Sequence, residues 1–231
     1  MKSSVTKANL TAEFIGSMLL IIAAVSPIIL FIHVFESHTG VALIANAIAV
    51  AWVLFALIEM FMHISGAHFN PVVTMAFVLD KKISCAKAML YVIAQIAGGI
   101  CGIIISHVMF YNEIGELLSV SNVTRGGFAY FSEIICTFVL VLAILLLVKV
   151  ESTKISIIVS LLVGGMILST SSTMFANPQV TIARMFTNSA AGVRPADGFV
   201  FILMQLTGAL LAYGIYKLIF SKTESEGIKN E

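Results

Sequence analysis

Two Asn-Pro pairs are the residues of this chain whose type and spacing most invite chemistry. Asn70-Pro71 sits near the start of an apolar run at 68–79, and Asn177-Pro178 near the start of another at 175–186. Asparagine is a strong N-cap, and proline is favoured at the first helical position, where its missing N–H does no harm. Each pair therefore predicts a short helix that begins at its asparagine. The side-chain oxygen caps the helix, and the amide NH2 is left for a passing oxygen. Each helix N-terminus also carries roughly half an elementary charge, so two such ends brought together would repel cations.

The acidic residues come next. Glu13, Glu59 and Glu133 lie within apolar runs, and a carboxylate at membrane depth is by default functional. Two chemistries are open to Glu13 and Glu133: proton or cation coupling, or acceptance of backbone N–H groups from irregular loops that lack partners. Glu59 precedes His63 by four residues, on one helix face. It pairs with His63 or reaches the interface; the sharper reading is a pH-sensitive mouth, because histidine titrates near neutrality. Catalysis finds no support. There is no Ser/His/Asp set, no His-Glu-x-x-His and no acidic pair, and His33, His38, His63, His68 and His107 share no ligand spacing. No catalytic residue, metal or cofactor is expected. Cys85, Cys101 and Cys136 lack metal spacing and read as small buried side chains.

The elements that must carry these residues follow from composition. Of 231 residues, 59% are hydrophobic and only 11% charged, against about a quarter charged in soluble domains; mean hydropathy is +1.05. The chain reads as an all-α membrane protein, one transmembrane domain over 1–231. A net charge of +1 leaves no basic stripe to neutralise phosphates, which excludes nucleic acid as a partner. Six apolar segments have spanning length, roughly 11–33, 41–63, 87–109, 128–149, 155–172 and 197–220, and Pro27 should kink the first. The two Asn-Pro runs are too short to cross and read as re-entrant half-helices. With six spans, all ten lysines fall on one side, Lys2 and Lys229 among them, and Arg125, Arg184 and Arg194 fall on the other. The positive-inside rule then puts both termini in the cytoplasm, with 221–231 as a cytoplasmic tail.

The sequence also repeats. Residues 8–110 answer 128–220: Glu13 matches Glu133, Asn70-Pro71 matches Asn177-Pro178, and Gln95 with Gly98 matches Gln205 with Gly208. Three spans per half is odd, so the halves are inverted and the half-helix ends should meet at the midplane. Gly16, Gly98, Gly99, Gly102, Gly164, Gly165 and Gly208 read as close-packing positions between helices.

Ser65-Gly66-Ala67-His68-Phe69-Asn70-Pro71-Val72-Val73-Thr74 resembles the first signature of the aquaporin (major intrinsic protein) family, and Asn177-Pro178-Gln179 resembles the second. The resemblance covers about residues 8–220. It implies a passive channel in the plasma membrane, a homotetramer with one pore per subunit, and Asn70 and Asn177 at the pore midplane. It implies carbonyl ladders from Gly66, Ala67 and His68 and from Thr173 with Met174, and it makes Glu13 and Glu133 supports of the loops. A gap-free count places the family's constriction at Val50, Gly165, Met174 and Val180, with Asn46 as an alternative to Val50. The aromatic, histidine and arginine usual there are missing. Arg184, four residues past Val180, is expected to place its charge in the outer vestibule, or else to cap the half-helix or pair with Asp197. A wide, arginine-free filter resembles that of a bacterial branch associated with arsenic resistance, and implies small neutral solutes larger than water: glycerol-like polyols or neutral arsenic species. An ordinary water or glycerol channel is the alternative; a proton-coupled secondary transporter using the glutamates is a more distant one.

Overall fold

The computed structural model describes residues 5–227, with side chains through Phe220. Lys2, Lys229, the side chain of Lys222 and residues 228–231 of the expected tail lie outside the described residues. The elements are α1 (Lys7–Ile29), α2 (Thr39–Ser65), α3 (Pro71–Leu79), α4 (Cys85–Met109), the single turn α5 (Tyr111–Ile114), α6 (Phe128–Lys149), α7 (Ile155–Ser169), α8 (Pro178–Arg184) and α9 (Pro195–Gly227). Six membrane helices and two half-helices therefore form an inverted three-plus-three array. Pro27 lies inside α1, and the chain passes directly into a π-helical turn, Leu30–Val34. Proline removes an i→i−4 hydrogen bond, and wider turns commonly absorb such a loss. Among the described residues, five helices, with the π turn counted into the first, are long and apolar enough to cross a bilayer; α7 has 15 residues. At 1.5 Å per residue it rises about 22 Å, and the chain leaves the helix at Thr170 to turn back inward.

Helix packing repeats in the two halves. α1 lies against α4 and α6 against α9, while α2 crosses to α7 of the other half. Glycine makes the first two contacts possible. A Cβ on Gly98 would lie 2.2 Å from the Phe14 carbonyl oxygen, and one on Gly208 would lie 2.4 Å from that of Ile134. Gly165 differs from the other glycines expected at close-packing positions: a Cβ there would meet nothing within 4 Å, so it faces outward and makes no close contact. Nor are all three cysteines buried; Cys136 is, but Cys85 at the start of α4 is exposed.

The lysine and arginine ends are distinct. Lys217 and Lys82 approach Asp80 just past α3, so α3 leaves the interior on the lysine side. At the other end, the 119–123 segment pairs with 185–194: Ser121 N–H donates to Met185 O, and Arg194 N–H donates to Val123 O. α8 leaves there. The half-helices thus run outward in opposite directions from a shared centre, and each lodges against α4 and α9.

Candidate functional site

The centre is built from two equivalent irregular segments. Gly66, Ala67 and Phe69 before α3, and Thr173, Met174 and Ala176 before α8, all have positive φ. Non-glycine residues rarely adopt that conformation, so the surroundings must hold them there. Glu13 does so for the first segment: its carboxylate accepts His68 N–H at 3.0 Å, Phe69 N–H at 2.8 Å, the Ser65 hydroxyl at 2.6 Å and the Gln95 amide at 2.8 Å. Glu133 repeats the arrangement, accepting Phe175 N–H at 3.0 Å, Ala176 N–H at 2.8 Å and the Gln205 amide at 2.6 Å. Gln95 and Gln205 also donate to Thr74 and Thr181 at 3.1 and 2.8 Å, and those hydroxyls donate to the carbonyls of Asn70 and Asn177. Sequence spacing reads the glutamines as helix-packing positions whose polar side chains bond across helices; the structure identifies the partners as the two glutamates and the two threonines.

The two asparagines meet across this frame. Each caps its own half-helix, Asn70 Oδ1 accepting Val72 N–H at 3.0 Å and Asn177 Oδ1 accepting Gln179 N–H at 3.1 Å. Each also donates to the other half: Asn70 Nδ2 to Ala176 O at 2.9 Å, and Asn177 Nδ2 to Phe69 O at 2.8 Å. No acceptor among the described residues takes the second N–H of either amide.

A cavity runs past this pair, lined by Asn70 and Asn177 and by Gly66, Ala67, His68 and Thr173 of the irregular segments. Helices wall it with four-residue stripes: Asn46, Val50, Leu54 and Ile58 on α2, Leu140, Ile144 and Val148 on α6, and Ile155, Val159, Val163 and Ile167 on α7. Asn46 and Val50 share the lining; the Asn46 amide is spent on the carbonyls of Ala23 and Ala24, at 3.3 and 3.0 Å. Met174 and Val180 line the cavity, but Gly165 does not. This corrects the gap-free count. Val163 and Ile167 lie on one face of α7, and two residues away from each is roughly 200° around the helix. Ile167, bulky and apolar, lines the cavity where a glycine was expected.

Arg184, on the last turn of α8, also lines the cavity and is only 5% exposed. Its guanidinium carbon lies 3.8 Å from the centroid of the Phe175 ring, and its Nε donates to Ala191 O. Asp197 is not its partner. That carboxylate accepts from Arg194 at 2.8 and 3.0 Å, from Arg125 N–H at 2.7 Å and from the Tyr130 hydroxyl at 2.8 Å. Burial pulls the Arg125 guanidinium below its ordinary pKa, whereas hydrogen bonding to Asp197 raises that of Arg194.

The comparisons with known proteins fit this geometry. The sequence model "Major intrinsic protein" matches residues 1–176. The chain belongs to the major intrinsic protein family. It is 35% identical over 206 residues to the aquaglyceroporin AqpS of Rhizobium meliloti, covering 89% of this chain and 87% of that one. Aquaporin-4 of mouse is 26% identical over 218 residues, 91% of this chain and 66% of its own. The solved structure of the aquaglyceroporin from Plasmodium falciparum superposes with a TM-score of 0.68 over 97% of this chain and 99% of that chain, at 20% identity. The protein is therefore a multi-pass membrane protein of a family of passive channels, and not an enzyme.

At the lysine end of this major intrinsic protein, Glu59 and His63 line a second cavity with Ser152, Thr153 and Ser156. The expected Glu59–His63 hydrogen bond is absent among the described residues. Glu59 instead accepts the hydroxyl of Ser156, because α7 starts beside it. Sequence reasoning missed Ile167 and Phe175. The spacing Ile155, Val159, Val163, Ile167 was the available signal for the first. An aromatic two residues before Asn177 offered none until its ring was seen under two guanidinium groups.

Proposed function

We propose that the protein is a passive channel for small uncharged solutes: water together with larger neutral solutes such as glycerol-like polyols or neutral arsenic species. The observation that carries this reading is the pair Asn70 and Asn177, each donating to a carbonyl of the opposite half and both lining a cavity with largely apolar walls. Each retains an N–H for a solute oxygen, and the half-helix ends behind them place positive potential where a cation would pass. Irregular backbone at membrane depth is tolerated only where it faces protein or a wet path, which suits Gly66–His68 and Thr173 as acceptor ladders.

The finer reading rests on the constriction. Val50, Ile167, Met174 and Val180 carry no side-chain hydrogen-bond donor, and the residue three past Asn177 is Val180 rather than arginine. Such a lining favours solutes with apolar surface over bare water. The names of the bacterial relative and of the structural neighbour, both aquaglyceroporins, agree with it. The subunit assembles as a homotetramer in the plasma membrane, with the lysine end and both termini cytoplasmic. In a proton-coupled transporter Glu13 and Glu133 would have to release their partners; their acceptor positions are occupied by loop N–H groups, which favours a supporting role.

Stopped-flow osmotic assays on purified protein in liposomes test the proposal with water, glycerol, urea and arsenous acid. Solute flux at least comparable with the water signal, indifferent to a pH gradient, is expected. A channel passing water alone overturns the solute assignment, and flux that follows a pH gradient overturns the passive mechanism.

A further inference from the structure

We infer that Arg184, seated on the ring of Phe175, is the specificity-determining residue of the arginine end of the pore: it excludes cations there and presents fixed donors to solute oxygens. The inference rests on the channel reading and extends it, because the role falls to a residue one helical turn beyond Val180.

Four observations converge on this residue. First, Arg184 lines the cavity, yet no carboxylate among the described residues pairs with it. Asp197 is committed to Arg194, Arg125 N–H and Tyr130, and Glu133 to the loop before α8 and Gln205. A buried cation without a counter-ion is costly, so a structural account leaves it unexplained. Second, the guanidinium is held in place. The Phe175 ring supports one face at 3.8 Å, and Ala191 O accepts from Nε. Third, only Nε is used: no described residue accepts from the two Nη groups, which leaves four N–H donors. Fourth, the support is itself cationic. Arg125 lies 5.2 Å from the same ring and donates to Ala190 O at 2.9 Å and Gly192 O at 2.7 Å. The carbonyls of 190, 191 and 192 thus alternate between two guanidiniums.

A cation moving along the pore therefore meets two fixed charges before it reaches the midplane, in a setting where water screens poorly. An uncharged solute bearing hydroxyl groups meets the Arg184 donors together with the apolar side chains of Ile167 and Val180, which line the same cavity. Arg125 is the positioning residue in this arrangement; it touches the ring and the loop, and it is not among the cavity-lining residues.

The test measures sodium leak and glycerol flux in the same reconstituted vesicles. Arg184→Leu is expected to raise sodium permeability by roughly tenfold or more. Arg184→Lys, which keeps the charge, is expected to stay close to wild type in sodium leak. Because a loss of Arg184 also frees Ala191 O, Arg184→Met is measured alongside: it keeps a long stem on Phe175, and the Met against Lys comparison reads the charge alone if the leucine variant does not assemble. Sodium leak unchanged in the assembled Leu or Met variant overturns the inference, as does a leak equally raised in Arg184→Lys. Absence of glycerol flux in the wild type would instead overturn the solute reading, while the sodium comparison would still decide the role of Arg184.

Discussion

Asn70 donates its side-chain amide to the carbonyl of Ala176 at 2.9 Å, and Asn177 returns the bond to Phe69 at 2.8 Å. The two halves are therefore tied together by the same side chains that cap the half-helices and face the cavity. Replacing either asparagine by alanine removes a cap, which costs about 1 kcal/mol, and leaves a carbonyl at membrane depth without its donor. Asn70→Ala and Asn177→Ala are expected to lower melting temperature in detergent and to reduce solute flux severalfold in stopped-flow assays. The double variant should fall by less than the sum, because each change already breaks the symmetric pair.

Glu13 and Glu133 should behave alike under substitution. A glutamine at 133 turns one acceptor oxygen into a donor that faces Phe175 N–H, Ala176 N–H or the Gln205 amide. Leaving one or two buried donors orphaned costs about 1–3 kcal/mol each. Glu133→Gln and Glu13→Gln are expected to destabilise by about 3 kcal/mol, read as a lower thermal midpoint in detergent. Vesicles holding whatever folded fraction remains should show no change in the pH dependence of flux; a change would mark these carboxylates as coupling groups.

The frame was legible because it repeats. Span length, lysine placement and the paired Asn-Pro motifs each constrain backbone position, and backbone position is what hydrophobic length and capping chemistry encode. The constriction was less legible because it depends on helix rotation. A shift of two residues moves a side chain to the far side of α7, and the sequence around Gly165 is apolar on every face. The seat of Arg184 on Phe175 depends on a loop crossing from 185 to 194, which no local pattern encodes. The tie from Glu59 to Ser156 spans 97 residues and has no sequence signal either.

The two kinds of glycine make opposite predictions. A Cβ at Gly98 or Gly208 would overlap a backbone oxygen of the neighbouring helix, at 2.2 and 2.4 Å. Backbone cannot yield as a side chain can, and overpacking of this kind costs about 1–3 kcal/mol. Gly98→Ala and Gly208→Ala should therefore lower the melting temperature. Gly165→Ala meets open space and gains helix propensity of up to about 1 kcal/mol, so its melting temperature should be unchanged or higher.

Gln179 offers a substitution expected to help. It is fully buried in α8, and neither its Nε2 nor its Oε1 has a protein hydrogen-bond partner among the described residues. An unsatisfied buried amide costs about 1–3 kcal/mol, so Gln179→Ala should raise the melting temperature, provided the vacated space closes. It should leave solute selectivity intact, because Gln179 packs toward Gly99 of α4 and is not among the residues lining the cavity.

The constriction itself gives the sharpest selectivity test. Ile167 and Val180 line the cavity, whereas Gly165 points outward. Removing side-chain volume at Ile167 should widen the path, so Ile167→Ala is expected to raise the ratio of glycerol to water flux severalfold. Val180→Arg adds both bulk and a second donor cation close to Arg184, and should suppress glycerol and urea more than water. Gly165→Val, on the outer face of α7, should leave that ratio within about twofold of wild type, since surface substitutions away from packed features seldom shift energies by more than about 0.5 kcal/mol. The three ratios, measured in one preparation by stopped-flow light scattering, separate the rotation of α7 seen here from the one a gap-free count assigns. If Gly165→Val blocked solutes and Ile167→Ala did nothing, the constriction would lie on the other face of the helix.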